Sequence, residues 1–183
     1  NTLMALISLV IIVVGGFYAF KINSNTRTKA VVYAPGDVLI NEFAANTALG
    51  TDQWYELMNT TSSDIDLTGW TLSSAINGEI NIGTILGSNS KVLPANGLIT
   101  INLAYNPADD AGDVLQIKDP TSQSVHSISY GSQPNPPAPN HVDAPLLNES
   151  AIFTLPLGVP TWSITAAPSR GWFNNAVAIP DCN

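Results

Sequence analysis

Acidic residues gather in one stretch of the sequence, where their side chains could supply oxygen ligands to a cation. Asp109, Asp110 and Asp113 lie within five positions, and Asn106 precedes them. Carboxylate and amide oxygens are the ligands that Ca²⁺ takes in proteins, but this spacing differs from that of an EF-hand loop. The stretch is therefore interpreted as a solvated acidic loop, with calcium binding as the alternative, and no metal or other cofactor is expected.

Imidazole and hydroxyl groups give little indication of catalysis. The two histidines, His126 and His141, are too few for most zinc sites built on histidine. His141 and Asp143 lie two positions apart beside a proline-rich stretch, where an exposed loop is favoured over a metal site. No Gly-x-Ser-x-Gly pattern occurs that would form a nucleophile elbow. The sequence therefore predicts a protein that is not an enzyme.

Two asparagines lie in the acceptor pattern for N-linked glycosylation. Asn59 begins Asn-Thr-Thr, and Asn148 begins Asn-Glu-Ser. Such matches arise often in a chain rich in Asn, Ser and Thr, so both are possible modification sites of a surface protein. The single cysteine, Cys182, allows no disulfide within the chain.

Composition limits the elements that must position these groups. Charged residues make up 11% of the chain, against roughly 25% in an average globular protein. Thirteen prolines, thirteen glycines and few charged helix formers disfavour a helical body. Residues 31–183 hold all fourteen acidic residues and only three basic ones. An acidic body repels phosphate backbones, so nucleic acid is not expected as a partner.

The chain starts with an apolar segment. Residues 2–20 contain no charged side chain, and nineteen residues in a helix span roughly 28 Å, close to the hydrocarbon thickness of a bilayer. Exposure of its large side chains to water would cost on the order of 20–40 kcal/mol. The segment must therefore lie in lipid or be enclosed by protein, and we expect one long hydrophobic α-helix over residues 1–30.

This start resembles the type IV pilins, including the archaeal pilins and archaellins. In that class a prepilin-type peptidase cuts just before the apolar helix, which anchors the subunit in the membrane and later forms the filament core. The chain begins at Asn1 rather than Met, and Ala5 stands where bacterial pilins carry glutamate, which favours the archaeal type. The alternative is a plain membrane anchor. The expected assembly contacts are the large apolar side chains Leu3, Leu6, Ile7, Val10, Val13, Val14 and Phe17.

The rest of the chain has the pattern of an all-β domain. Short runs rich in β-branched and aromatic residues alternate with turn signals, and no long amphipathic helix separates them. This pattern indicates an antiparallel sandwich. The predicted strands cover residues 38–44, 53–59, 69–73, 79–85, 98–103, 114–119 and 125–130.

The order of motifs in this part resembles the lamin tail domain, an immunoglobulin-like β-sandwich. The motifs are VLINEF at 38–43, WYELMN at 54–59, DLTGW at 66–70, LPANG at 93–97 and GDVLQIKD at 112–119. Ser122-Gln123 and His126 depart from the family pattern, which has glycine after the last of these motifs and aspartate at the histidine. The resemblance implies no shared catalytic site. Trp54 and Trp70 are expected to be core anchors, and Glu56 to face away from its neighbours.

The predicted fold class is therefore mainly β, with one long N-terminal hydrophobic α-helix and an immunoglobulin-like antiparallel β-sandwich. Residues 1–30 would form the helix, 31–37 a linker, and 38–183 the lamin-tail-like sandwich, with a proline-rich insertion at about 132–157.

The expected function is that of a structural subunit, a pilin, in an extracellular type IV pilus-like filament. Helices would bundle in the core and sandwiches would lie outside. The partners would be other copies of the chain, the membrane before assembly, the prepilin-type peptidase, and an assembly ATPase with its membrane platform. The alternative is a membrane-anchored binding domain on the cell surface that does not polymerise.

Overall fold

The computed structural model describes residues 31–48, 52–103, 108–133, 140–154 and 159–172. The described residues from Tyr33 onward belong to one compact unit. Within the described residues there is one helix, α1, at Ile82–Leu86. The strands β1 to β12 are, in chain order, Val38–Ala44, Gln53–Asn59, Ile65–Asp66, Thr71–Ser74, Gly78–Asn81, Val92–Leu93, Leu98–Leu103, Val114–Lys118, Ser124–Tyr130, His141–Val142, Ser150–Thr154 and Thr161–Thr165.

Two five-stranded sheets make up the body of the fold. The first sheet has the order β12-β11-β1-β2-β7, and the second has the order β10-β9-β8-β4-β5. Strands β3 and β6 form a separate two-stranded ribbon. All pairings are antiparallel except that of β10 with β9. This arrangement is an immunoglobulin-like β-sandwich, as the sequence predicts.

Alternation along the strands decides which side chains fill the space between the sheets. Phe43 of β1 lies opposite Tyr55 of β2, which lies opposite Ile101 of β7, and all three are buried in the core. The Phe43 ring centroid is 5.0 Å from that of Tyr130 and 5.7 Å from that of Trp162. Aromatic side chains bury more apolar area than other residues, so this cluster contributes much of the stability of the sandwich.

Two glycines allow the start of β8 and the end of β9 to approach closely. A Cβ atom added to Gly131 would lie 2.1 Å from the carbonyl oxygen of Ala111, and one added to Gly112 would lie 2.5 Å from that of Tyr130. Gly131 also has a φ of +62°, which favours glycine. Close backbone contact therefore requires glycine at 112, in the motif at 112–119, and at 131, directly after β9.

Helix α1 replaces the second half of a predicted strand. The alternating pattern at 79–85 predicts one strand, but β5 ends at Asn81 and the helix follows. Asn81 is the N-cap, and its side-chain oxygen accepts a hydrogen bond from the backbone N–H of Thr84 at 3.1 Å. Ile82 and Leu86 lie four positions apart, and both are buried. A local cap and a helical pair of apolar residues therefore override the strand propensity.

The turn after β8 shows the effect of the missing glycine. The Asp119 carboxylate accepts hydrogen bonds from the N–H groups of Thr121 and Gln123, at 2.8 and 3.0 Å, so the turn keeps the expected shape. Ser122 occupies the glycine position with a φ of +67°. A side chain other than glycine or asparagine is strained in this left-handed region. The departure in sequence is thus accommodated by strain and not by a different turn.

The predicted fold class needs correction in its helical part. The described structure is a β-sandwich whose helix has five residues, and its described ranges hold no long helix. No helix there is long and apolar enough to span a bilayer. The helix predicted for residues 1–30 falls outside the described residues. Hydropathy alone established that this segment avoids water, not that its backbone is helical.

Candidate functional site

Two glutamates lie side by side on the outer face of the first sheet. In β2, Tyr55 and Leu57 point into the core, so Glu56 between them points outward, as predicted. Glu42 of β1 is the register partner of Glu56, after a shift in register at Asn41. Both glutamates have no exposed surface. A cover must therefore lie over this face.

The cover is a segment that follows β12, residues 166–172, which we term the strap. The Ser169 backbone N–H donates to Glu42 Oε1 at 3.0 Å, and the Ser169 hydroxyl donates to Glu42 Oε2 at 2.5 Å. Ser150 of β11 donates its hydroxyl to Glu42 Oε1 at 2.5 Å. Glu42 thus joins three parts of the chain: β1, β11 and the strap.

Glu56 receives the next part of the strap. The Gly171 backbone N–H donates to Glu56 Oε2 at 2.6 Å, and Asn41 Nδ2 donates to Oε1 at 2.6 Å. Burial raises the pKa of Glu56 above its usual value, and the neighbouring Glu42 raises it further, although the two hydrogen bonds oppose this shift. The site is thus a pair of buried acids, one of which resists ionisation.

Arg170 extends the strap to the edge of the sheet. Its guanidinium lies 5.4 Å above the centre of the Trp54 ring and donates to the side-chain oxygen of Asn102 on β7. Trp54 was predicted to be a core anchor. It is 5% exposed, but it lies on the outer face beneath the strap, whereas Trp70 has no exposed surface and lies in the core.

The acid pair has the groups for proton transfer but no room for a substrate. Every carboxylate oxygen of Glu42 and Glu56 accepts a hydrogen bond from the chain itself. Over the described ranges, no group of three His, Cys, Asp or Glu side chains is arranged to hold a metal ion. What the site does chemically is to bind an extended backbone through its N–H groups.

The acidic loop does not bring its three carboxylates together. Asp113 is fully buried and accepts hydrogen bonds from the hydroxyl of Ser74 and, at 3.0 Å, the N–H of Ala75. Asp109 accepts the N–H of Ala111 at 2.8 Å within its own turn. Asn106 lies outside the described residues. Asp113 therefore joins β8 to β4 and is not turned toward a cation.

One serine–histidine contact has the form of a catalytic dyad. Ser129 Oγ lies 2.7 Å from His141 Nδ1, and the hydroxyl is also 3.3 Å from the carbonyl oxygen of Asn140. Ser129 has no exposed surface, and Asp143 is exposed. A nucleophile must reach its substrate, so this pair connects β9 and β10 and does not form an active site.

His126 lies between the two sheets. Its Nδ1 accepts the backbone N–H of Ile40 at 3.2 Å, so the neutral ring carries its proton on Nε2. The ring packs against Phe153 and Trp162, with centroids at 6.0 and 6.3 Å. Burial lowers the pKa of His126 to about 4. The histidine at the family's aspartate position therefore still serves as a hydrogen-bond acceptor for β1.

The two possible glycosylation sites differ in exposure. Asn59 is fully buried, and its Nδ2 donates to the carbonyl oxygens of Ser63 at 2.8 Å and Pro94 at 3.0 Å. Asn148 is exposed in the turn before β11, with a φ of +66°. Glycosylation stays a prediction at both, and the folded domain presents only Asn148 to solvent.

The remaining predicted positions are not covered by the structure. The seven assembly side chains Leu3, Leu6, Ile7, Val10, Val13, Val14 and Phe17 lie outside the described residues, as does Cys182. Sequence reasoning gave the outward direction of Glu56 but missed its pairing with Glu42 and its contact with the strap. The available signal was one glutamate in each of two adjacent strands, followed by Ser-Arg-Gly near the end of the chain.

Comparison with known proteins supports the motif reading. A comparison with curated proteins finds no significant match. The family model of the lamin tail domain matches residues 32–132, which is more than half of the chain and includes β1 to β9. This match and the immunoglobulin-like sandwich agree, and the chain belongs to the lamin tail domain family.

Proposed function

We propose that this chain is a structural subunit of an extracellular, type IV pilus-like filament. Its apolar N-terminal segments would gather in the filament core, and its sandwiches would lie outside. The observation that carries the proposal is residues 2–20, nineteen residues without a charge joined to a folded lamin tail domain. Such a segment must be sheltered from water, and copies of itself provide shelter without any further protein.

The sandwich favours a structural role over catalysis, and we propose that the protein is not an enzyme. The buried acids Glu42, Glu56 and Asp113 all accept hydrogen bonds that hold strands or the strap in place. Ser129, whose hydroxyl lies 2.7 Å from His141 Nδ1, is buried. Groups that are used in this way stabilise the domain and are not accessible to a substrate.

The proposal also names partners and a location. The filament lies at the cell surface, and each subunit is held in the membrane before assembly. A prepilin-type peptidase would process the chain, and an assembly ATPase with its platform would move it from lipid into the fibre. These partners follow from the pilin resemblance of residues 1–30.

Electron microscopy of the full chain after detergent removal tests the filament. Val13→Lys places a charge within the apolar segment and should abolish fibres, because burial of an unpaired charge is costly. Val92→Lys makes the same change at a valine that is 44% exposed on the sandwich, and it should leave the fibres intact. Near-ultraviolet circular dichroism checks that both sandwiches remain folded. Single dispersed particles from the unaltered chain would contradict the proposal.

A second candidate function shares the same observation. The apolar segment would also suit a membrane-anchored surface domain that binds a partner and does not polymerise. Flotation with phospholipid vesicles distinguishes the two, because an anchored monomer stays with the vesicles as isolated particles, whereas a filament subunit forms fibres when lipid and detergent are absent.

A further inference from the structure

The strap crosses the outer face of the first sheet without joining the core. It leaves β12 after Thr165, reaches Glu42 on β1 and Glu56 on β2, and ends beside Asn102 on β7. None of its residues belongs to the hydrophobic core cluster. The strap can therefore leave the sheet while the sandwich stays folded.

Within the described residues, the strap donates its hydrogen bonds to the acid pair and to Asn102 from one short stretch. The bonds to the sheet described above come from Ser169, Arg170 and Gly171, three consecutive positions. Residues 166–168, which connect them to β12, are exposed. A segment that is held at one short stretch opens as a unit, at a smaller free-energy cost than global unfolding.

When the strap closes, the carboxyl groups of Glu42 and Glu56 lie next to each other and away from water. Both groups would be negative if ionised. On this face the ionisable side chains are Glu42 of β1, Glu56 of β2 and Arg170 of the strap itself. The neighbouring strands β7 and β11 contain no ionisable residue in the described ranges. Arg170 is exposed and lies over Trp54. Two adjacent buried carboxylates cannot both ionise without cost, whereas open to water they can.

We propose that the strap is a proton-linked latch, which closes over the Glu42–Glu56 pair when the pair holds a proton and opens when both acids are ionised. Opening uncovers the two carboxylates and the Trp54 ring on one face of the sheet. Protonation of one acid removes the repulsion, while the Ser169 N–H still has an acceptor oxygen on Glu42 and the Gly171 N–H still has one on Glu56.

The pKa of Glu56 determines in which direction closure of the strap depends on pH. Burial in the closed state raises the pKa of its carboxyl above the ordinary value that it regains in water. The closed state therefore binds the proton more tightly than the open state. Closure is favoured in acid and weakens as the pH rises through the closed-state pKa. Each unit by which closure raises that pKa weakens the latch about tenfold in alkali.

Amide hydrogen exchange measured by NMR on the full chain in a nonionic detergent tests the latch. The protection factors of the Ser169 and Gly171 amides, corrected for the intrinsic effect of pH, should fall severalfold between pH 5 and pH 8. The Ser122 amide, which donates to the Asp119 carbonyl in a turn elsewhere, should stay constant. A wild-type profile that is flat for Ser169 and Gly171 overturns the proposal.

Substitutions identify the acids responsible. Glu56→Gln, or Glu42→Gln if the first variant fails to fold, should abolish the pH dependence while the strap stays closed. Glu79→Gln, which removes one negative charge from the second sheet, should keep the wild-type fall. Gly171→Ala strains the strap, since Gly171 has a φ of +79°, and should lower protection about tenfold at every pH. If the fall persists unchanged in both Glu42→Gln and Glu56→Gln, the acid pair is not the latch.

Discussion

The two faces of the first sheet are both buried, but by different means. The inner face presents Phe43, Tyr55 and Ile101 to the second sheet, and close packing of apolar side chains excludes water. The outer face presents Glu42 and Glu56, and a single strap excludes water through hydrogen bonds. Burial therefore has different consequences on the two faces, because water can replace a hydrogen bond but cannot fill an apolar cavity at low cost.

This difference predicts where substitution will be most damaging. On the inner face, neighbouring side chains are fixed by both sheets, so a shortened side chain leaves a cavity. On the outer face, the strap can move away, and the polar groups then become hydrated. We expect substitutions to lower the free energy of unfolding by a large amount on the inner face and by a small amount on the outer face.

Phe43→Ala should give the largest effect. Phe43 has no exposed surface and contacts the rings of Tyr130 and Trp162 at centroid distances of 5.0 and 5.7 Å. Loss of the ring should lower the free energy of unfolding by about 3–5 kcal/mol. Urea denaturation followed by circular dichroism measures it. A loss below that of an exposed control, Val159→Ala, would contradict the claim that the inner face depends on packing.

His126, which lies between the sheets, should make the free energy of unfolding depend on pH. We expect this effect to be smaller than that of Phe43→Ala. Its pKa is lowered to about 4 in the folded chain and is about 6.5 in the unfolded chain. The unfolded state thus binds a proton first as the pH falls, so stability is complete above about pH 6.5 and is lost toward pH 4. The full loss is about 3 kcal/mol, at about 1.4 kcal/mol for each pH unit.

Urea midpoints at pH 7, 5.5 and 4 measure this dependence. His126→Gln keeps an acceptor for the Ile40 N–H and does not titrate, so its midpoints should fall less over this range. If the urea midpoint falls equally in the variant and the wild type between pH 7 and pH 4, a group other than His126 causes the loss of stability in acid.

The sequence predicted the inner face more completely than the outer one. The predicted bounds of β1, β2 and β7 are those observed, because the turn signals on either side of each strand lie where the strands end. Alternation failed at α1, where the N-cap at Asn81 decides the structure. The predicted proline-rich insertion at about 132–157 contains β11, which lies between β1 and β12 in the first sheet.

The outer face could not be derived from local pattern. A glutamate that alternates with apolar residues in a strand is expected to be exposed. Nothing in β2 indicates that residues 169–171, more than one hundred positions later, cover Glu56. Likewise, Trp54 reads as a core residue because aromatic side chains are usually buried in cores. Contacts between segments far apart in sequence determine both residues, and only the folded chain brings these segments together.

Ser169→Ala tests the hydrogen bonds of the outer face. The change removes the hydroxyl that donates to Glu42 Oε2 at 2.5 Å and leaves the backbone N–H bond. The free energy of unfolding, measured by urea denaturation, should fall by about 1 kcal/mol, the usual net contribution of one hydrogen bond. Ser163→Ala, an exposed serine on β12, provides the matched control. A loss as large as that of Phe43→Ala would show that the strap is part of the cooperative core.

Arg170→Lys should have the smallest effect and separates charge from shape on the outer face. Lysine keeps the positive charge beside Asn102 but loses the planar guanidinium over the Trp54 ring, so a stacking contribution of about 0.5 kcal/mol should disappear. The amide protection factor of Gly171 should then fall about two- to threefold, with no measurable change in the urea midpoint. Arg170→Lys is then repeated in a chain that already carries Trp54→Leu and so has no indole ring. If the protection factor of Gly171 falls as much there, Arg170 acts through its contact with Asn102 and not through Trp54.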